Sequence, residues 1–299
     1  MTPARGLRAA TSGDVPAIAR VAAACDEPIE TPGVPGSPYA AHLLARGKVI
    51  VAESDGVVVG YAATVPVGTW HHVTDLFVHP AARDRGWGRA LLAAVLEGEA
   101  AATTFASDDV RAIPIYVRAG MRALWPNLYL EGRAARLDAT PLRVSPVTAA
   151  ETAAAELAFT GMDRSADHAY WGTRRGAVPF LVLDGDAVLG AGCAVHRRGR
   201  PGRWLPHLAI APHADAALVA AAAVRATARG GPAAEAGTGA AHTSQGAAAH
   251  PTSVCVPGPH PVLPILLEAG FRVVDRDIFL ATAGATVDPE RLLPDPSLL

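Results

Sequence analysis

The stretch "FVHPAARDRGWGRALLAAV", from Phe77 to Val95, joins an apolar run to a helical pattern through a turn that contains two glycines. The apolar run ends at Val78 and helical periodicity begins after Gly88, so the turn connects a strand to a helix. The first amides of a helix lack partners within it, and the helix dipole places positive charge at the same end. A phosphate fits there, because glycines let the main chain approach it closely. The sequence therefore predicts an anion-binding strand–turn–helix unit.

The composition is that of a protein with a large apolar core and little net charge. The chain has 299 residues, half of them hydrophobic, and a formal net charge of -2. The length suits two ordinary domains or one large one, and the charge gives no electrostatic reason to expect a nucleic-acid partner. No apolar stretch is long enough to span a bilayer, so we expect a soluble, cytoplasmic protein that does not bind membranes. Cys25, Cys193 and Cys255 lack metal-ligand spacing, and we expect buried reduced thiols.

The chain contains the same pattern twice. "VRAIPIYVRAGMRAL" from Val110 aligns without a gap with "HPVLPILLEAGFRVV" from His260, and "LFVHP" from Leu76 matches "LAIAP" from Leu208. These pieces occur in the same order in both halves, and the repeat is far longer than a solenoid repeat. We predict two similar α+β domains, each with a mixed sheet, at residues 1–135 and 136–299. Each domain includes a β-hairpin, which in the first half turns at residues 54–56.

Two segments together resemble the GNAT N-acetyltransferase superfamily. "VHPAARDRGWGRALL" is similar to the family signature R/Q-x-x-G-x-G/A, here formed by Arg83, Gly86 and Gly88. "DVRAIPIYVRAGM" resembles the later helix that ends in Tyr-x-x-x-Gly-Phe, with Tyr116 as its tyrosine and methionine in place of phenylalanine. The resemblance covers essentially the whole first half and is limited to the fold in the second. The chain looks like a tandem GNAT protein with one intact and one degenerate copy.

The resemblance implies an acyltransferase that moves an acetyl group from acetyl-CoA to an amine within a ternary complex, without a metal. The main-chain amides from Arg85 to Arg89 would hold the CoA pyrophosphate, Arg83 would add charge, and the main chain of Phe77 and Val78 would pair with the pantetheine arm. Asp109 stands where the family often has asparagine. The cofactor-binding residues that the resemblance implies are Phe77, Val78, Arg83, Asp84, Arg85, Gly86, Trp87, Gly88, Arg89 and Asp109.

Acetyl transfer needs a group that removes a proton from the ammonium and one that protonates the leaving thiolate. Tyr116 matches the family's acid position. His72 falls where several family members carry a base on the strand, and an imidazole suits that work. Asp75 is the alternative base, and a relay through water needs neither residue. Strict alternation along the strand places His72 with Thr74 on one face and Asp75 with Val73 on the other.

The loop "CDEPIETPGVPGSPY" carries Asp26, Glu27 and Glu30 and, by the resemblance, lies over the acceptor site. Its acidic groups suit a cationic amine, although surface loops are often acidic without a ligand. We therefore expect a primary amine as acceptor, on a small molecule or alternatively on a protein, and a chain that is a monomer or a homodimer. The competing hypotheses are a non-catalytic acyl-CoA-binding sensor or scaffold and a transferase that uses a longer acyl-CoA.

The second half lacks the residues that would carry this chemistry. Asp215 replaces Arg83, Leu266 replaces Tyr116, and both glycines of the turn are absent. A carboxylate in that place would repel a phosphate, so the second half is predicted to be structural or to help form the acceptor pocket. Its "GMDRSADHAYW" segment is interpreted as an ion-pair cluster or an acceptor contact, with a metal site as a third possibility. The polar residues concerned are Asp163, Arg164, Asp167 and His168.

Overall fold

The computed structural model describes residues 5–27, 37–107, 109–228 and 250–299 of the chain. It divides into two compact units, each discontinuous in sequence. Unit 1 comprises Met1–Leu124, Ile278–Thr286 and Pro296–Leu299, and unit 2 comprises Trp125–Asp277 and Val287–Asp295. The assignment of domains to residues 1–135 and 136–299 stays a prediction. The compact units differ from it because two C-terminal segments belong to unit 1.

Unit 1 is a mixed sheet with four helices among its described residues. Its elements are β1 (Arg5–Ala9), α1 (Val15–Ala23), α2 (Pro38–Arg46), β2 (Lys48–Ser54), β3 (Val57–Val67), β4 (Trp70–Val78), α3 (Trp87–Val95), β5 (Ala102–Ala106) and α4 (Ala112–Arg118). The strands follow the order β1-β2-β3-β4-β5, and residues 278–281 of the C-terminal segment pair with β5. The predicted hairpin turn is confirmed, since Asp55 (φ 53°) and Gly56 (φ 76°) both adopt the left-handed conformation of a type I′ turn.

Strand β4 carries a β-bulge that changes which side chains share a face. In its ladder with β3, Val73 pairs with Thr64 and Asp75 pairs with Ala63, so Thr74 is an extra residue. Paired residues share a face of a sheet, and the consecutive residues Ala63 and Thr64 lie on opposite faces. Val73 and Asp75 therefore lie on opposite faces as well. The prediction that these two side chains share a face is wrong, because the bulge interrupts the alternation.

The same bulge coincides with an opening between two parallel strands. The ladder between β4 and β5 runs from the pair His71–Ala102 to the pair Val73–Thr104, and no further pair is formed among the described residues. Strand β4 nevertheless continues to Val78. The main chain of the last part of β4 thus lies outside the ladder with β5, and this wedge leads directly into the glycine turn.

Unit 2 repeats the same sequence of elements. These are β6 (Arg122–Gly132), β7 (Arg143–Pro146), α5 (Ala149–Thr160), α6 (Ser165–Thr173), β8 (Val178–Asp184), β9 (Ala187–His196), β10 (Arg203–Ile210), α7 (Ala216–Ala226), β11 (Thr252–Pro257), α8 (Val262–Glu268), β12 (Arg272–Ala281) and β13 (Leu292–Leu293). The ladders follow the order β6-β11-β10-β9-β8-β7, with β13 on β10. The first three residues of β6 and the last four of β12 belong to unit 1. No helix in the described ranges is long and apolar enough to cross a membrane.

Candidate active site

The turn after β4 places the first amides of α3, which have no acceptor within the helix, at the helix N-terminus. Asp84 (φ 62°) and Gly86 (φ 83°) both adopt left-handed conformations, and Gly86 is the N-cap. The first hydrogen bond of the helix runs from Ala90 N to Gly86 O, so the three preceding amides of α3 have no acceptor within the helix. A Cβ atom built on Gly86 meets no heavy atom within 4 Å. The backbone is therefore shaped for an anion, with free space in front of it.

The charged residues of the turn are held by contacts to neighbouring loops. Arg83 donates from Nε to Val78 O at 3.2 Å. Arg111 forms a bidentate ion pair with Asp109, at 2.9 and 2.6 Å. The bonds from Arg111, assisted by the charge of Arg83, lower the pKa of Asp109 to about 2. Asp109 thus lies within electrostatic reach of Arg83, and its carboxylate is already paired with Arg111; its contact with the cofactor stays a prediction.

Trp87 and Gly88 have packing roles in addition to their main-chain amides. The Trp87 side chain is buried in the apolar cluster that covers one face of the sheet, together with Tyr116 of α4. A Cβ atom on Gly88 would lie 3.4 Å from Ile115 Cδ1, so α3 and α4 approach closely at this glycine. Arg85 and Arg89 are exposed beside the turn.

Asp75 is a buried carboxyl with a raised pKa. It is 7% exposed, and its Oδ2 has no hydrogen-bond partner among the described residues. Burial, helped by the negative charge of Glu27 and opposed by the Tyr39 hydroxyl, raises the pKa of Asp75 to about 7. A carboxyl that is half ionised near neutral pH can take up and release a proton readily.

Two tyrosines surround this carboxyl, and the sequence pattern predicted a role for neither of them. Tyr39 lies on α2. Tyr61 lies on β3, two residues before the partner of Asp75 and on the same face of the sheet. The Tyr61 hydroxyl is close enough to lower the pKa of Asp75, although it does not reach hydrogen-bond geometry with a partner among the described residues. A tyrosine within the apolar run "VVVGYAATV" was the available signal, because a buried phenol needs a polar partner.

His72 lies on the same face of β4 as Asp75 but has both ring nitrogens engaged. It is completely buried; its Nε2 lies 3.0 Å from Pro296 O and its Nδ1 lies 2.9 Å from Thr103 Oγ1. A carbonyl can only accept, so Nε2 carries the proton and the lone pair on Nδ1 faces the Thr103 hydroxyl. Through these contacts His72 anchors β4 to β5 and to the C-terminal segment. They favour Asp75 over His72 as the base, a choice that stays a prediction.

Tyr116 lies on the opposite face of the sheet from Asp75. It is buried in the cluster with Ala62 and Val73, whereas Asp75 pairs with Ala63 on the other face. The predicted acid and the alternative base are therefore placed on the two sides of the wedge between β4 and β5.

Of the acidic loop, only part falls within the described residues. Asp26 and Glu27 are exposed at the end of α1, and Glu27 acts electrostatically on Asp75. Glu30 lies outside the described residues.

In unit 2 the position of the anion-binding turn is closed by a side chain. Asp215 is the N-cap of α7, and its carboxylate accepts a hydrogen bond from Leu218 N at 3.0 Å. A carboxylate thus occupies the place that a phosphate would take at the same point of unit 1. Leu266, which replaces Tyr116, is fully buried.

The polar segment of unit 2 forms a buried network. Arg164 and Asp167 make an ion pair of 2.6 Å. Glu156 Oε2 lies 2.6 Å from His168 Nε2 and 2.9 Å from His207 Nε2, and the three ligand-capable atoms lie within 4.8 Å of one another.

Hydrogen bonding accounts for this histidine–glutamate cluster better than metal ligation does. Both Nδ1 atoms lack a partner in the described part of the chain. With protons on the two Nε2 atoms, Glu156 accepts both bonds and each Nδ1 keeps only a bare lone pair. A metal on the Nε2 atoms would move the protons to Nδ1, where they would have no acceptor. Burial lowers the pKa of His207, in agreement with a neutral ring.

Comparisons with known proteins agree with the geometry of unit 1. Residues 45–121 match the family model of the acetyltransferase (GNAT) domain. A search of curated proteins returned no match. Residues 45–121 are thus similar to the GNAT domain, and the resemblance predicted from the two sequence segments is confirmed.

Solved structures extend the similarity to the whole chain. A putative acetyltransferase from Pyrococcus horikoshii is 13% identical, with a TM-score of 0.64 over 96% of this chain and 91% of its own. A tandem GNAT protein from the clavulanic acid biosynthesis pathway, determined without acetyl-CoA, is 16% identical, with a TM-score of 0.59 over 95% of this chain and 100% of its own. At these identities the likeness concerns the fold. The predicted pair of mixed-sheet GNAT-like domains is confirmed.

Proposed function

We propose that unit 1 is an acetyl-CoA-dependent N-acetyltransferase that acts on a primary amine by direct attack in a ternary complex. The observation that carries this proposal is the buried, unpartnered oxygen of Asp75 beside the wedge that opens between β4 and β5. Buried carboxyl oxygens are usually hydrogen-bonded in native structures, so an unpartnered one beside an open wedge calls for a functional explanation. The GNAT domain at residues 45–121 supports acyl-CoA-dependent acetyl transfer in general terms.

The residues around the wedge have complementary roles toward the cofactor. The amides at the start of α3 bind the pyrophosphate, and Arg83, Arg85 and Arg89 add positive charge around the turn. The main chain of Phe77 and Val78, at the end of β4, lies beyond the ladder to β5 and pairs with the pantetheine arm. With the pyrophosphate at α3 and the pantetheine arm along β4, the thioester of the cofactor would lie within the wedge, between the two faces of the sheet.

Proton transfer is divided between those two faces. The acceptor arrives as an ammonium on the side of Asp75, where Glu27 and the carboxyl favour a cation. Asp75 takes the proton from nitrogen, and the amine attacks the thioester carbonyl. The carbon–sulfur bond breaks as the tetrahedral intermediate collapses, and Tyr116 donates its proton to the departing sulfur. The nitrogen, still carrying one proton too many for an amide, releases that proton through water to the tyrosinate, so Tyr116 is restored and Asp75 keeps the one net proton. His72, the first candidate for the base in the sequence, is the second candidate in this proposal, with its contacts to the C-terminal segment as its structural role.

One cofactor site per chain is expected. Unit 2 has Asp215 where a phosphate would bind, and an apolar side chain, Leu266, in place of the acid. Both features support the interpretation of unit 2 as a degenerate copy.

The test is CoA release across a panel of primary amines, followed by thiol detection, with acetyl-CoA compared with longer acyl-CoA compounds. We expect turnover with acetyl-CoA and its loss by about 10²–10⁴-fold in Asp75→Asn. The control is Asp55→Asn, which makes the same chemical change in an exposed turn. Binding of acetyl-CoA without release of CoA in the presence of any amine would favour the sensor hypothesis. Faster release of CoA from a longer acyl-CoA than from acetyl-CoA would favour the longer acyl-CoA as the donor.

A further inference from the structure

Unit 2 contains a cavity that acetyl transfer in unit 1 does not use. Its volume is about 250 Å³, and it lies between the C-terminal half of α7 and strands β7 to β10. The walls are mostly apolar, formed by Leu142, Val144, Val178, Phe180, Ala222 and Ala226. The position is remote, along α7, from the Asp215 cap, so the cavity is not the counterpart of the anion-binding turn.

Two arginines interrupt this apolar wall. Arg203, at the start of β10, donates to Gly176 O at 3.0 Å, while its Nε is buried without a hydrogen-bond partner among the described residues. Arg225, in the last turn of α7, donates to Leu137 O. Within the described ranges neither arginine forms an ion pair, although each is half-buried.

A buried guanidinium N–H without an acceptor is costly, and arginine stays charged in proteins. Burial lowers the pKa of Arg203, as expected for a cation that lacks an anionic partner. A carboxylate would satisfy the free Nε and neutralise the charge, whereas an uncharged or cationic head group would not. The volume corresponds to roughly eight water molecules, which leaves room for a short hydrocarbon body.

We propose that this cavity binds a monocarboxylate with an apolar body, the size of a medium-chain fatty acid, with its carboxylate on Arg203 and its hydrocarbon part against α7. The ligand class follows from two arginines, neither of which forms an ion pair with another described residue, at the wall of an otherwise apolar chamber. This binding is independent of the acetyl-transfer proposal, because every residue involved belongs to unit 2.

Octanoate is the probe, titrated calorimetrically into the full chain in the presence of excess CoA. We expect the native chain to bind octanoate at one site and to bind octanol at least ten-fold more weakly. Arg203→Met should bind octanoate at least ten-fold more weakly than the native chain does. Ala226→Leu fills the cavity and should abolish binding. Arg276→Met, which removes an exposed arginine on β12, should leave the affinity unchanged.

Several results would overturn the proposal. These are no heat of binding for octanoate with the native chain, equal affinity for octanoate and octanol, or equal affinity of the native chain and Arg203→Met. Circular dichroism checks the fold of each variant. If Ala226→Leu does not fold, the comparison of octanoate with octanol on the native chain decides the question by itself.

Discussion

Replacing Asp75 by asparagine should stabilise the protein while it removes activity. Burial raises the pKa of this carboxyl from 3.8 to about 7, so the folded chain holds the proton more tightly than the unfolded chain does. Wild-type stability should therefore fall as the pH rises from about 4 to about 7 and then level off. The difference between the two pKa values corresponds to about 4 kcal/mol, an upper limit for the cost of keeping this carboxylate buried.

Asparagine cannot ionise, and it retains the shape of the side chain and its capacity to hydrogen-bond with the neighbouring tyrosines. Urea unfolding of the wild type and of Asp75→Asn at pH 5 and pH 8 measures the effect. The free energy of unfolding of Asp75→Asn minus that of the wild type should be larger at pH 8 than at pH 5 by about 2–3 kcal/mol. The change is smaller than the upper limit because the ionisable carboxyl already destabilises the wild type in part at pH 5. Asp55→Asn, in the exposed hairpin turn, should show no such difference.

Two results would refute this reasoning. One is an equal stability difference at both pH values, which would mean that the carboxyl titrates alike in the folded and unfolded chains. The other is an Asp75→Asn variant that is less stable than the wild type at pH 8. The expected combination of higher stability and lost turnover is typical of a residue retained for chemistry rather than for folding.

Three further outcomes are expected. Gly86→Glu should abolish acetyl-CoA binding in calorimetry, because its side chain extends into the open space before the α3 amides. The control Gly199→Glu, at another glycine with positive φ and open surroundings, should bind one equivalent of acetyl-CoA as the wild type does. A stoichiometry near two for the wild type would contradict the single site. Tyr116→Phe should lower kcat by about 10²–10⁴-fold with little change in the Kd for acetyl-CoA, and unchanged turnover with rate-limiting chemistry would rule out the acid role. A fragment of residues 1–140 should be aggregated or weakly stable in gel filtration and urea unfolding, because β5 loses the strand 278–281; a soluble, cooperatively folding, fully active fragment would contradict this.

The local elements of unit 1 could be predicted because short-range chemistry specifies them. The hairpin needs two residues that tolerate positive φ, and Asp55 and Gly56 provide them. The turn before α3 needs a left-handed N-cap, and Gly86 provides it. The identification of both features rests on residue types at fixed positions.

The assignment of faces in β4 could not be predicted from alternation alone. Nothing in "WHHVTDLF" marks Thr74 as an extra residue, since the bulge depends on how β4 pairs with β3. Because every residue after a bulge changes face, this one feature moved Asp75 to the side of the sheet where α2 supplies Tyr39. The completion of unit 1 by its C-terminal segments is equally non-local: the bond between His72 and Pro296 joins positions 224 residues apart.

The internal repeat shows why one copy is open to chemistry and the other is not. The match of "LFVHP" with "LAIAP" places His207 at the position of Asp75, and each residue follows a register shift in its strand. In unit 2 this side chain is bonded to Glu156 and stacked on Trp171 at 4.5 Å, so its partners are supplied by the fold. In unit 1 the equivalent carboxyl oxygen has no such partner among the described residues. The same strand geometry thus places a histidine bonded to a glutamate in one unit and a carboxyl with an unpartnered oxygen in the other, and the ammonium of the proposed acceptor would supply the missing partner.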